Sequence, residues 1–258
     1  MSNQLPSHFP AGDVLLLDCG DGNTALVHLN GIFRQLYLIH NLNQFHMSLF
    51  SEKSLFDGKK AIRGGIPIVF PNFGPWKLGP QHGFGRIKRW SLAIPPTKDK
   101  HGTVIAAISL EDDEDTRRMW NYNKAFDFTT LLHSYIRTPD ILNTSVTGLS
   151  GLEYIDKVNT LIKIYIDFSL RVYLECPKNL IVSHVGCGKN NLSIKTFNLP
   201  DIVIWNPWEE KAKEMSDFGD EEYKYMICVE GGKVSSPVTV DGGKQFECSQ
   251  TFIVTPAD

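Results

Sequence analysis

Residues 63–90 constrain the fold of this chain more than any other stretch, because glycine and proline punctuate them throughout. These 28 residues contain six glycines and four prolines, together with five Lys or Arg and no Asp or Glu. Proline fixes the backbone torsion φ, and glycine lets the backbone approach a ligand closely. The composition therefore excludes a long helix or an ordinary strand here and predicts a rigid, shaped loop.

The charge of this loop points to an anion. Arg63, Arg86, Lys88 and Arg89 are concentrated in it, although the whole chain has a formal net charge of −3. Guanidinium groups bind phosphate through paired, charge-assisted hydrogen bonds, and a rigid loop holds them in place for this. The alternative is a structural loop of the Ω type with solvated charges, and composition alone does not decide between the two.

The rest of the chain predicts an all-β fold. Short apolar runs alternate with turn residues, and only residues 209–216 have the pattern of a helix. The acidic run 111–115 is interpreted as a solvated turn, and Pro95-Pro96 with the charged residues after it as a linker. Neither a repeat nor a domain boundary is apparent, so we predict a single β-sandwich or barrel domain over residues 1–258. The strand candidates are 13–18, 24–29, 34–40, 104–110, 160–166, 170–174, 180–185, 192–197, 202–205, 225–230 and 246–254.

Composition limits the partners and the compartment. A pI near 6.2 with 21% charged residues gives no general attraction to nucleic acid or to a membrane surface. The start of the chain lacks the pattern of a signal peptide, and no apolar run approaches the ~20 residues of a membrane span. The cysteines are odd in number and scattered, which predicts free thiols, no zinc site and a cytoplasmic protein. They are Cys19, Cys176, Cys187, Cys228 and Cys248.

Several segments together resemble one family. "IRGGIPIVFPNFG" and "PQHGFGR" in the loop are similar to the signature of the hexose-6-phosphate mutarotases, also called glucose-6-phosphate 1-epimerases, which are relatives of the aldose 1-epimerases. "LLHSYIRTPDI" at 131–141, "GLEYIDKV" at 151–158 and "WNPWEEKAKEMSDFGDEEYKYMICVE" at 205–230 agree with it in the same order. The resemblance implies a large, mostly antiparallel β-supersandwich of the galactose mutarotase type, with a ligand cleft across one concave sheet face.

The resemblance also implies an activity and its residues. The reaction is interconversion of the α and β anomers of a hexose 6-phosphate such as glucose 6-phosphate, without a metal or another cofactor, in a protein expected to be a monomer. "LHSYIR" matches the family segment whose histidine protonates the ring oxygen, which assigns His133 as the acid. Glu230 is the matching base, and Arg63, Gln81 and Arg86 match substrate contacts. His82 is interpreted as a neighbour of the sugar or phosphate, with a catalytic role as the alternative.

The chemistry requires an acid and a base beside the sugar. One group removes the proton of the C1 hydroxyl while another protonates the ring oxygen, and the open-chain aldehyde then closes on its other face. A histidine and a carboxylate suit this exchange near neutral pH. We expect the two groups on opposite sides of the bound ring. Trp205 is predicted to pack in the core or to frame the cleft, and Asp156 and Asp217 are interpreted as structural turn residues.

Two departures from the family pattern keep other functions open. "FDF" at 126–128 runs almost directly into "TTLLHSY", where the family has two or three further strands. The family's sugar-binding aspartate is replaced by Leu170, and its glutamate by Phe168. A homologue that binds sugar phosphate with little or no turnover is therefore an alternative to the isomerase. A lectin-like module for unphosphorylated sugar is a third reading, which the intact Arg63, Gln81 and Arg86 disfavour.

Overall fold

The computed structural model describes residues 14–20, 23–29, 39–40, 45–120, 125–156 and 169–257. Most of the predicted strand 34–40, all of the predicted strand 160–166 and Phe168 lie outside these ranges. In the described ranges most regular structure is antiparallel β-strand, so the predicted all-β class is confirmed.

The strands are numbered in chain order. They are β1 (Val14–Asp18), β2 (Thr24–His28), β3 (Ile39–His40), β4 (Phe45–His46), β5 (Ile68–Val69), β6 (Ser91–Lys98), β7 (Val104–Ser109), β8 (Phe126–Leu132), β9 (Tyr135–Arg137), β10 (Val146–Thr147), β11 (Tyr154–Asp156), β12 (Ser169–Tyr173), β13 (Asn179–Val185), β14 (Asn190–Phe197), β15 (Asp201–Asn206), β16 (Met226–Val240) and β17 (Ser249–Pro256). The α-helices are α1 (Glu114–Met119) and α2 (Trp208–Glu214), and 3-10 helices cover Ile141–Asn143 and Glu222–Tyr225.

Two sheets form the sandwich that positions the site. The larger sheet has the order β11-β12-β15-β16-β8-β5, with β9 also paired to β16. The second has the order β10-β13-β14-β17, while β1 to β4 form a separate sheet and β6 pairs with β7 alone. All of these pairings are antiparallel, as expected for a sandwich with one solvated face on each sheet.

The alternation of side chains along β16 explains why the larger sheet has both a core face and a site face. Ile227 and Val229 join the buried cluster that includes Leu192 and Ile194 of the second sheet. Successive side chains of a strand point to opposite faces, so Cys228 and Glu230 point away from that core. An acid on this second face is 1% exposed, a position that sequence patterning alone does not explain.

The strand that leads to the predicted acid is paired on both sides, despite the shortened segment before it. Leu131 and Leu132 of β8 pair with Gly232 and Gly231 of β16 on one side and with β5 on the other. A strand flanked in this way has no free edge at that end. The shortening therefore leaves the entry to His133 supported.

The charged region that follows residues 63–90, which we call the glycine-rich loop, differs from its prediction. The acidic run is not only a turn, because it begins α1. The side chain of Asp113 accepts a hydrogen bond from the backbone N–H of Thr116 at 2.8 Å, and the Thr116 hydroxyl accepts one from the N–H of Asp113 at 2.8 Å. This reciprocal cap starts a short helix. The predicted linker at Pro95-Pro96 is part of the exposed strand β6, whose register shifts around the two prolines.

The glycine-rich loop is shaped by contacts that only glycine permits. Gly83 has φ +72°, and a Cβ there would lie 2.2 Å from the carbonyl oxygen of Phe70. The N–H of Gly85 donates to that same carbonyl at 2.8 Å. These contacts hold the two arms of the loop together, so the loop is rigid, as the composition predicted.

In the described part of the chain, no helix is both long and apolar enough to traverse a lipid bilayer.

Candidate active site

A cavity of about 460 Å³ lies between the glycine-rich loop, the second face of the larger sheet and α2. All six predicted site residues line it, although the chain separates them widely. The lining comprises Arg63, Phe73, Gly74, Pro75, Gln81, His82, Arg86, His133, Leu170, Trp205, Lys211, Met215 and Glu230. Lys211 and Met215 were not identified from the sequence. Lys211 belongs to α2 and Met215 is its C-cap. Their spacing of four, which places two residues on one face of a helix, was the available signal.

Strand register explains why these side chains converge. Leu170 lies opposite Trp205, Trp205 opposite Cys228, and Cys228 opposite Tyr135, so the four form one row across the sheet. Directly paired residues of antiparallel strands share a face. The adjacent row includes Glu230. Leu170 therefore faces the cavity, and Trp205 both lines the cavity and packs against the core cluster around Tyr135.

His133 and Glu230 meet at the buried end of the cavity. The imidazole Nδ1 is 3.1 Å from the carboxyl Oε1, and the two residues are 7% and 1% exposed. Nδ1 and both carboxyl oxygens lack a well-aligned hydrogen-bond partner within the described ranges. The His133 ring stacks on Tyr135 with 4.7 Å between centroids and 8° between planes, which fixes its orientation. A buried acid–base pair with unsatisfied polar atoms is expected where a ligand completes the hydrogen bonds.

This contact corrects the expectation that acid and base lie on opposite sides of the ring. The ring oxygen and the C1 hydroxyl oxygen are both bonded to the same carbon. Two groups that serve these oxygens therefore belong next to each other, as His133 and Glu230 are.

Burial favours the uncharged form of each member of this pair. It raises the pKa of Glu230 well above its usual value, an effect that the Cys228 thiol and the Arg86 guanidinium only partly oppose. Burial also holds the pKa of His133 well below its usual value, assisted by His82, Arg86 and Arg63. Both shifts favour the uncharged forms, a neutral imidazole beside a protonated carboxyl, which together hold one transferable proton.

Arg63 is held in place by two partners. Its Nη2 donates to Oδ1 and Oδ2 of Asp217 at 3.2 and 3.1 Å, and its Nη1 donates to the Tyr135 hydroxyl at 3.2 Å. Burial alone would lower the pKa of Arg63, but Tyr135 and Asp217 outweigh it and the pKa is raised. Asp217 lies in a turn, as predicted, and its ion pair with Arg63 also gives it a part in orienting the cavity wall.

Arg86 has more free hydrogen-bonding capacity than Arg63. Its Nη2 donates to the backbone carbonyl of Gln81 at 3.0 Å, and its buried Nε lacks a hydrogen-bond partner among the described residues. Burial lowers the pKa of Arg86 to about 10, so it remains a cation near neutral pH. A buried cation with unused donors is a suitable contact for an anionic ligand.

His82 is held as a neutral hydrogen-bond donor. It has φ +65°, a conformation that residues other than glycine seldom adopt. Two hydrogen bonds fix it: its N–H donates to the Gly74 carbonyl at 2.9 Å, and the Gly74 N–H donates to its Nδ1 at 3.1 Å. Because Nδ1 accepts, the proton of the neutral ring lies on Nε2. Burial, with the charges of Arg86 and Arg63, lowers the pKa of His82 to about 3.

Three side chains in this site offer potential metal ligands. His133, Cys228 and Glu230 each contribute a ligand atom, and these atoms lie within 4.8 Å of one another. The sequence predicts no zinc site, because its cysteines are odd in number and scattered. The charge surroundings of these three side chains disfavour a cation, since Arg63 and Arg86 both act on His133. All five cysteines lie in the described ranges, and none of them forms a disulfide bond there.

Comparisons with known proteins show the family to which the chain is similar. The family model described as Aldose 1-epimerase matches residues 40–126 and 118–252. A protein of the grass Cenchrus ciliaris named "Putative glucose-6-phosphate 1-epimerase" is 30% identical over 290 aligned residues, covering 94% of this chain and 87% of the relative. A Salmonella typhimurium protein of the same name is 30% identical over 234 residues, covering 79% of this chain and 78% of the relative.

Solved structures agree on the fold. A crystal structure of a "putative mutarotase" from Salmonella typhimurium superimposes with a TM-score of 0.81 at 26% identity, covering 94% of this chain and 90% of that one. A galactose mutarotase related enzyme from Lactobacillus acidophilus, with a TM-score of 0.63 at 11% identity, covers 95% and 97% and supports the fold alone.

Proposed function

The chain belongs to the aldose 1-epimerase family of isomerases, and we propose that it interconverts the α and β anomers of hexose 6-phosphates, with His133 and Glu230 as its acid–base pair. The observation that carries the proposal is the 3.1 Å contact between His133 Nδ1 and Glu230 Oε1 at the buried end of a cavity whose walls carry Arg63 and Arg86. An acid and a base beside fixed cations match what an anionic hemiacetal requires.

The proton needed for the reaction is already present in the pair. A neutral imidazole beside a protonated carboxyl holds the same number of protons as an imidazolium beside a carboxylate. Transfer of one proton from Glu230 to His133 therefore generates the base for the C1 hydroxyl and the acid for the ring oxygen. Ring opening then moves the hydroxyl proton to Glu230 and the His133 proton to the ring oxygen. Closure on the other face of C1 reverses both transfers, so the enzyme is restored.

The phosphate of the substrate assists this transfer. Arg63 and Arg86 disfavour an imidazolium at position 133. A bound phosphate dianion offsets their positive charge, so the charged form of His133 costs less free energy when the substrate is present. Binding energy from a group remote from C1 is thereby used at the reacting centre. This accounts for a preference for hexose 6-phosphates over free hexoses.

His82 takes the role of a positioning donor and not of a second acid or base. Its pKa of about 3 keeps the ring neutral across the physiological range, and its accepting Nδ1 directs Nε2–H to other partners. A neutral N–H of fixed orientation suits a hydroxyl or phosphate oxygen. Gln81 next to it adds an amide at the same wall of the cavity.

The direct test is the approach of fresh α-glucose 6-phosphate to its anomeric equilibrium, followed by polarimetry or NMR against the spontaneous rate. We expect acceleration proportional to enzyme concentration, retained after exhaustive chelation, because the acid–base pair needs no metal. A rate equal to the spontaneous one would refute the proposal. A chelator-sensitive rate restored by a divalent ion would instead assign the cluster of His133, Cys228 and Glu230 to metal binding.

We expect Leu170→Asp to raise the rate. Leu170 lines the cavity, where an aspartate would accept hydrogen bonds from sugar hydroxyls. A hydrogen bond to a charged group contributes roughly 1.5–3 kcal/mol, or about 10- to 150-fold in rate if it forms in the transition state. Part of this gain is offset, because Leu170 also packs against the buried cluster around Val172 and Val203.

Leu170→Asn is the matched control for this prediction, since it has the same shape without the charge. The aspartate variant should exceed it in kcat/KM for glucose 6-phosphate. A folded Leu170→Asp protein that binds glucose 6-phosphate and gains no rate would contradict this account of the substitution. It would favour the alternative of a sugar-phosphate-binding homologue with little turnover.

A further inference from the structure

We propose that Lys211 on α2 contacts the phosphate of the substrate and so helps to determine specificity. Before the phosphate binds, Lys211 forms an ion pair with Glu214. The inference rests on the proposed function, because it concerns the phosphate end of the same substrate. Lys211 lines the cavity together with Met215, one helical turn further along. It lies in the segment 205–230 that resembles the family, but the resemblance assigned it no role.

The position of Lys211 suits the end of the substrate that lies away from C1. His133 and Glu230, which would serve C1, are almost fully buried. In a hexose 6-phosphate the phosphate is attached through C6, outside the ring and several bonds from C1. It therefore extends from the buried end toward the mouth of the cavity. The Lys211 side chain is 49% exposed, as expected for a residue at that mouth.

The other cations of the cavity leave a role for Lys211. Arg63 is paired with Asp217 and Tyr135, and both Arg63 and Arg86 lie close enough to the acid–base pair to lower the pKa of His133. Of the Lys and Arg residues that line the cavity within the described ranges, Lys211 alone is half exposed at its mouth. A phosphate dianion has charge and oxygens for more than one cation, and a lysine at the rim can follow it as a flexible point charge.

The present partner of Lys211 is weakly held. Its Nζ is 2.8 Å from Glu214 Oε2 in an i,i+3 pair, and the side chains are 49% and 64% exposed. Exposed pairs of this kind contribute little to stability, because water and salt compete with them. A phosphate can therefore displace Glu214 at small cost. The helix itself is anchored, since Ala212 beside Lys211 is fully buried.

The helix offers a matched control. Lys213 also belongs to α2 and has a comparable exposed ion pair, with Glu209 at 2.6 Å. It does not contribute to the described lining of the cavity. Lys211→Met and Lys213→Met thus make the same change of net charge on the same helix. Glu214→Gln provides the opposite change, because it releases Lys211 from its competitor.

The test combines binding and turnover. We expect Lys211→Met to raise the Kd for glucose 6-phosphate and for inorganic phosphate roughly tenfold in calorimetric titrations, and to raise KM for glucose 6-phosphate by a similar factor while leaving glucose unaffected. Lys213→Met should change none of these. Glu214→Gln should lower the Kd for glucose 6-phosphate about two- to threefold, a gain that loss of structure does not produce.

The outcomes separate this inference from the proposed function. Equal effects of Lys211→Met and Lys213→Met would overturn the role of Lys211, as would a wild-type protein that does not bind glucose 6-phosphate. Binding that depends on Lys211 in a protein without turnover would uphold the phosphate contact and overturn the isomerase activity. Weaker binding in Glu214→Gln would refute the competition between Glu214 and phosphate.

Discussion

Glu230→Gln is expected to lower the enzyme-catalysed rate of glucose 6-phosphate anomerisation by about 10²–10⁴, the usual contribution of one general acid or base. Glutamine keeps the shape of the side chain but does not exchange a proton with the C1 hydroxyl. His133→Asn removes the other member of the pair, and we expect a loss in the same range. Polarimetry corrected for the spontaneous reaction measures both.

Two controls distinguish this prediction from loss of structure. Glu230 is buried with neither oxygen in a well-aligned hydrogen bond among the described residues, so its carboxyl adds little to the stability of the fold. We expect Glu230→Gln to unfold at the same temperature as the wild type or higher, with the Kd for glucose 6-phosphate changed little. A slow variant that is also unstable or unable to bind would point to a structural role instead.

The pH dependence of the wild-type rate provides an independent check of the pair. The reactive form has one proton on His133 and Glu230 together. It gains a second proton only below the lowered pKa of His133 and loses its proton only above the raised pKa of Glu230. We therefore expect kcat/KM, which reports the ionisations of the free enzyme, to be nearly constant across neutrality and to fall at both extremes. A sharp optimum between pH 5 and 7 would mean that the two residues titrate close to their usual pKa values.

Much of the fold could be predicted because its signals are local. Runs of alternating or continuous apolar residues located β13 to β17 within a few residues, apart from the full length of β16. The helix predicted at 209–216 is α2 at Trp208–Glu214. The missed helix α1 also had a local signal, since Asp113 and Thr116 have the spacing of a capping box. It was overlooked because the acidic run suggested only a solvated turn.

The candidate site could be predicted in its members but not in its geometry. Resemblance supplied His133 and Glu230, yet no sequence pattern indicates that their side chains touch. That contact depends on the pairing of β16 with β8 and β9, which is a long-range property. The same pairing brings Cys228 close to both residues. The pKa shifts depend on long-range contacts in the same way. The low pKa of His82, for example, arises from burial and from arginines that the fold brings near it.

The second large effect is expected at Arg86. Arg86→Met should lower kcat/KM for glucose 6-phosphate by roughly 10- to 150-fold, while the value for glucose changes little. The factor corresponds to the roughly 1.5–3 kcal/mol of a lost charge-assisted hydrogen bond. Methionine keeps an apolar stem of similar width in the wall of the cavity. The ratio of kcat/KM for the two sugars is the measurement, because a general disturbance of the site lowers both values together.

Arg63 is the informative comparison, since the two arginines line the same cavity with different surroundings. Arg63→Met leaves the buried Asp217 without its guanidinium partner, so we expect it to lower the melting temperature as well as phosphate selectivity. Arg86→Met removes a cation that burial already disfavours, since burial lowers the pKa of Arg86 to about 10. It leaves no buried carboxylate unpaired, so we expect the melting temperature to be unchanged.

Lys77→Met controls for net charge, because Lys77 is an exposed cation of the same loop outside the cavity lining. Equal losses for glucose and glucose 6-phosphate in Arg86→Met would mean that Arg86 supports the sugar ring or the loop and not the phosphate.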